Sequence, residues 1–243
     1  MINILLNDTD FFNAWCYSSL SHYLKKDTHV LVIALTRNDG WSLDEEEWEH
    51  QFSKGGKIYQ RIVHSFKQYQ IEESNIEWFI PNRDSKRTLE NQLKKADVIY
   101  LYGNEAESFM ERVHDLSLFQ ALSSYQGIVI SNAVGSLVQM DVFDSMYAYE
   151  EEPIQGLGLL EGFALVSDYK EDAGTLARII RHIEQRGKSV IAFGKDGGAI
   201  IDHGSLELLG NAYMIDEADL DAVYRAYEDA KSRFEYYGDN GLW

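Results

Sequence analysis

The sequence predicts an α/β protein, a three-layer sandwich with a mostly parallel central sheet, forming a single domain over residues 1–243. Short apolar runs recur with almost no polar interruption, as expected of strands buried on both faces. Between them lie longer segments whose apolar residues return at helical spacing. The only prolines are Pro81 and Pro153, and no Gly/Ser-rich linker or internal repeat divides the chain.

The elements follow in order. Residues 2–6 (INILL), 30–35 (VLVIAL), 98–102 (VIYLY), 128–131 (IVIS) and 190–193 (VIAF) read as buried strands. Residues 58–69 place Ile58, Ile62, Phe66 and Tyr69 on one helical face, and residues 176–186 repeat this with Leu176, Ile179, Ile180 and Ile183. Gly187 fits the cap that ends the second helix. Strands alternating with helices imply parallel neighbours covered on both faces. Toward the C-terminus a small hairpin is expected, turning at His203-Gly204-Ser205, with Asp196-Gly197-Gly198 as a tight turn leading into it. The last segment, 217–237, reads as a helix striped by Leu220, Val223, Tyr224 and Tyr227.

Composition narrows the function. A net charge of −18 opposes binding to nucleic acid and to anionic membrane surfaces. No apolar run reaches the ~20 residues that span a bilayer. The N-terminal stretch lacks a basic segment and is interrupted by Asp8 and Asp10, unlike a signal peptide. The single cysteine, Cys16, permits no internal disulfide and fits a cytoplasmic location and a structural role. The acidic clusters at 44–47 and 150–152 read as solvated loops, without His or Cys at ligand spacing, so no metal and no cofactor is expected.

In open α/β sheets ligands sit at the carboxyl ends of strands, so the turns after Tyr102 and Ser131 are the candidate site. GIVISNAVGSLVQM, residues 127–140, is a strand entering a helix through a tight turn, the shape that holds the nucleophile in G-x-S-x-G enzymes. Here the central residue of Ser131-Asn132-Ala133-Val134-Gly135 is alanine.

Four segments occur in a recognisable order: DVIYLYGN at 97–104, SNAVGSL at 131–137, GLGLL at 156–160 with a Tyr-containing block at 163–169, and GKDGGAI at 194–200. Together, over about residues 97–210, they resemble the serine peptidase family of dipeptidase E and cyanophycinase, whose fold is class I glutamine amidotransferase-like. The spacing from Leu160 to Asp168-Tyr169, eight residues, is the most specific part. The resemblance implies a serine at the elbow, where this chain has Ala133, and a histidine base, where it has Asp168. It also implies an oxyanion turn of type G-G-N-T-F, of which Tyr102-Gly103-Asn104 keeps one glycine.

A methyl group has no lone pair with which to attack a carbonyl, and an aspartate is a far weaker base at neutral pH than an imidazole. The resemblance therefore implies a peptidase-like protein without catalytic residues, binding a small peptide or a protein partner. Its cleft would comprise Tyr102, Gly103, Asn104, Asn132, Ala133, Val134, Gly135, Asp168 and Tyr169. Two alternatives stand beside this. Ser131, Ser136 or a carboxylate pair drawn from Asp168, Asp196 and the acids at 141–152 could support hydrolysis of short aspartyl-type peptides. Alternatively, the C-terminal aromatics Tyr213, Tyr224, Tyr227, Phe234, Tyr236, Tyr237 and Trp243 could make the chain a structural subunit of a homo-oligomer. The seven histidines, His22, His29, His50, His64, His114, His182 and His203, all lie outside the turns singled out.

Overall fold

The computed structural model describes residues 1–35, 45–81, 83–103, 105–145 and 153–239. The first half runs β1 (Ile2–Leu6), α1 (Tyr17–Leu20), β2 (Val30–Ala34), α2 (Glu45–Phe52), α3 (Lys57–Lys67), β3 (Ile76–Phe79), α4 (Lys86–Leu93), β4 (Val98–Tyr102), α5 (Ala106–Asp115) and α6 (Phe119–Ser123). It leads to β5 (Ile128–Asn132) and a 3-10 helix, Ala133–Gln139. A short pair follows, β6 (Val142–Phe143) with β7 (Ile154–Gln155), and then β8 (Phe163–Val166) and α7 (Ala173–Arg186). The chain closes with β9 (Ser189–Asp202), β10 (Ser205–Ile215) and α8 (Leu220–Asp239).

Among the described residues eight strands form one sheet in the order β10-β9-β1-β5-β4-β2-β3, with β8 also paired to β9. The neighbours from β1 to β3 are all parallel, so their carboxyl ends lie along one edge. Alternate residues of each strand serve opposite layers. Leu5, Leu31, Ile33, Ile99 and Leu101 pack with Leu89, Phe109, Met110, Val113 and Leu122 of α4, α5 and α6. Ile4, Leu6, Val30, Val32 and Tyr100 pack the other way, onto Leu20, Trp48, Phe52, Ile62 and Phe66 of α1, α2 and α3. This is the expected three-layer sandwich. A third cluster joins Leu176, Ile179 and Ile183 of α7 to β8, β9 and Val223 of α8.

Local signals set the helix ends. Ser85 and Thr88 form a reciprocal capping box at the start of α4. Asp172 accepts from the Thr175 amide at 2.8 Å to open α7, and Gly187 ends that helix at φ 61°.

The expected hairpin is larger than its sequence signal. β9 and β10 are 14 and 11 residues long and join the main sheet rather than standing apart. His203 and Gly204, both at positive φ, make the two-residue turn. The tight turn expected at Asp196-Gly197-Gly198 is absent: the segment stays inside β9. Asp196 itself takes φ 58°, and Gly210 faces it across the register shift in β10. A Cβ on Gly210 would lie 2.0 Å from the Asp196 carbonyl oxygen, so the two residues together form an irregularity that bends the ribbon.

That bend positions the site. β8 pairs parallel with the first half of β9, and β1 pairs antiparallel with its second half. The two strands therefore run toward each other and their carboxyl ends meet at the bend.

Candidate functional site

Three chain segments converge there. β1 ends at Leu6, and the Asn7 amide donates to the Gly197 carbonyl at 2.9 Å. β8 ends at Val166, and the Tyr169 amide donates to the Phe193 carbonyl at 2.7 Å. Between these anchors Asn7 and Asp168 bond reciprocally. Asn7 Nδ2 donates to Asp168 Oδ1 at 3.0 Å, and the Asp168 amide donates to Asn7 Oδ1 at 3.2 Å. Asp168 sits at φ 52°, a left-handed conformation that aspartate tolerates better than most residues. Its partner is thus an asparagine 161 positions away in the sequence.

β5 supplies the strand-to-helix junction. Ala133 is the first residue of the 3-10 helix that follows the strand directly. Gly135 lies against the β4 turn: a Cβ there would meet the Gly103 carbonyl oxygen at 3.1 Å and Leu101 O at 3.4 Å. The glycine lets the helix close onto the strand end, the role such a glycine plays in an elbow. Asn132, buried beside it, accepts from the Tyr100 hydroxyl at 3.2 Å. Asn104 lies outside the described residues.

The two serines near the junction face inward, and both are 0% exposed. Asn3 Nδ2 donates to Gln139 Oε1 at 2.8 Å, and Gln139 Nε2 donates to Ser131 Oγ at 2.6 Å. Ser131 Oγ then donates to Ser136 Oγ, and Ser136 Oγ to the Leu6 carbonyl, each at 3.2 Å. The relay starts and ends on protein groups, and no imidazole or carboxylate takes part in it. Ser136, although in the 3-10 helix, thus bonds across to the end of β1. Cys16, also buried, donates to the Phe11 carbonyl at 3.0 Å, and burial pushes its thiol up to about 12.

The GLGLL segment fits against the end of the 3-10 helix. Leu157, Gly158, Leu159 and Leu160 donate their amides to carbonyls of Val138, Gln139 and Met140. A Cβ at Gly156 would lie 2.2 Å from Met140 O, so that glycine is required by close backbone approach.

Sequence reasoning missed a polar group on the flank of Asp168. Asp144, 10% exposed, bonds Arg181 at 2.5 Å and also pairs with Arg186. His182 Nε2 lies 3.3 Å from the same carboxylate. Burial works to raise the Asp144 pKa, but His182, Arg186 and Arg181 outweigh it and hold the carboxyl below its usual range. Asp144 belongs to the acidic stretch weighed above for a carboxylate pair, yet its contacts are two guanidiniums and an imidazole. Of that stretch, 146–152 lies outside the described residues, as does Asp44. Among the described residues no three of His, Cys, Asp and Glu gather to hold a metal ion. None of the described helices is long and apolar enough to cross a membrane.

No family model and no curated protein matches the sequence. Solved structures do match the fold. A Listeria monocytogenes EGD-e protein described as a peptidase E superposes with a TM-score of 0.59 at 11% identity, over 85% of this chain and 96% of that one. A peptidase from an acI-B1 Actinobacterium gives a TM-score of 0.65 at 10% identity, over 88% and 90% of the two chains. The chain therefore has a peptidase E-like α/β fold.

Proposed function

We propose that this protein uses a peptidase fold to bind a small peptide, or the chain end of a protein partner, without hydrolysing it. One observation carries the reading: a strand enters a helix through a turn closed by Gly135, and the residue at the elbow position is an alanine. β5 runs straight into the 3-10 helix and Gly135 closes on Gly103, but the junction residue is Ala133. The serines that flank it in sequence, Ser131 and Ser136, are held in the buried relay to Leu6 O. At the position where the related family carries its base, Asp168 is turned to Asn7. Fold alone does not assign activity, so the reading rests on these side chains. The cleft would comprise the strand ends at Tyr102, Gly103, Asn132, Gly135, Asp168 and Tyr169.

The test is incubation of purified protein with an aspartyl dipeptide and a β-aspartyl dipeptide, followed by chromatography of the products. No release of amino acids above buffer is expected. Turnover that disappears when Gly135 is replaced by valine in a still-folded protein would overturn the reading.

A further inference from the structure

The two edges of the main sheet differ. β3 closes one of them with four residues, and Glu77 sits inside it. A short edge carrying a charge is an ordinary protection against pairing with another strand. β10 closes the other edge over 11 residues, with no proline and no lysine. Its ladder runs to β9, and no backbone group of 205–215 bonds to any other segment among the described residues. At ~3.4 Å per residue this leaves an open edge of ~37 Å.

One face of that edge is apolar throughout. Leu206, Leu208, Ala212 and Met214 stand opposite Ile201, Ala199, Phe193 and Ile191 of β9, and residues directly opposite share a face. Those β9 residues belong to the core layer or pack against it. Leu206, Leu208 and Met214 are nevertheless 37%, 37% and 41% exposed.

Charge and symmetry indicate what covers the row. Copies of a chain with a net charge of −18 repel each other, so they meet most readily on an uncharged strip. Residues 208–215 form such a strip, without a charged side chain. The row is also self-complementary. An antiparallel strand related by a two-fold axis at Gly210 sets Leu206 against the partner's Met214, and Leu208 against the partner's Ala212. Glu207, the one charge in the strand, then faces the partner's Tyr213 instead of another carboxylate. The register shift at Gly210 lies on the axis, so the arms 205–209 and 211–215 pair on either side of it.

We infer that β10 pairs antiparallel with β10 of a second copy, extending the sheet through a two-fold dimer. The interface reaches the candidate cleft, because the Tyr213 ring lies 6.0 Å from that of Tyr169 between centroids.

Sedimentation equilibrium of the full chain tests the inference. A dimer is expected at micromolar concentration, and it should tighten as salt is raised and the like charges are screened. Leu208→Glu places a carboxylate in the apolar row at a position exposed in the single chain. It should weaken the dimer roughly tenfold or more and leave the circular dichroism unchanged. Leu206→Cys/Met214→Cys should form an intermolecular disulfide on oxidation. Leu206→Cys alone should not, since position 206 of the two copies lies ~27 Å apart in this register. A monomer at every salt concentration, a dimer unmoved by Leu208→Glu, or equal cross-linking in the single and double variants would overturn the inference.

Discussion

Two polar groups of the fold differ in how their hydrogen bonds close, one under the strand-to-helix junction and one beside α7. Under the junction, Asn3, Gln139, Ser131 and Ser136 pass their hydrogen bonds in one direction and end on a backbone carbonyl. Beside α7, Asp144 holds two guanidiniums and one imidazole, while His182 Nδ1 and Arg178 Nε have no partners among the described residues. Buried polar groups are normally satisfied, since each unmet one costs about 1–3 kcal/mol. The junction, where family resemblance placed the chemistry, is thus built like a core. The flank, which carried no motif, is the region whose polar capacity is still open.

The largest break in this contrast should come from Asp144→Ala. Removing the carboxylate leaves Arg181, Arg186 and His182 crowded without their acceptor, and a loss of about 3–5 kcal/mol is expected in urea denaturation. Gln139→Leu attacks the other region. It strands Asn3 Nδ2 in the core and removes the bond that Ser131 Oγ accepts, and should cost about 2–3 kcal/mol in the same assay. If the two losses came out in reverse order, the flank would be less of an electrostatic knot than the geometry indicates.

Acid distinguishes the regions further, because the junction relay contains no titratable group. The folded pKa of His182, about 4, lies below its unfolded value near 6.5. Between those values the unfolded chain binds a proton that the native state refuses, so this contribution is present above pH 6.5 and fades toward pH 4. About 2 kcal/mol should be lost from pH 7 to pH 4.5 by denaturation midpoints, and His182→Gln should flatten the slope. Asp144 adds its own loss only at lower pH. The smallest effect is of opposite sign. Arg178→Met removes a cation beside Arg181 and Arg186, and should raise stability by about 0.5–1 kcal/mol.

The sheet was legible because its inner strands are apolar on both faces: residues 2–6 and 98–102 match β1 and β4 residue for residue. The junction was legible too, since a strand, a small-residue turn and a helix follow one another between 127 and 140. β3 and β8 were not read as strands. Each is four residues long, and β3, at the sheet edge, mixes Glu77 with apolar neighbours. The close approach of Gly135 to the end of β4 could be expected from pattern alone. Asn7 could not, because its partner lies across a strand crossing that no local pattern encodes. The Asp144–His182 contact spans a sequence gap with no recognisable spacing. Its one available sign was the i, i+3, i+8 placement of Arg178, Arg181 and Arg186 on a helix otherwise striped with isoleucine.

The central claim, that the elbow frame persists without a nucleophile, is tested most directly by intact-protein mass spectrometry after exposure to a fluorophosphonate. The buried relay predicts an unchanged mass for the native protein. A stoichiometric adduct mapped to Ser131 or Ser136 would contradict it.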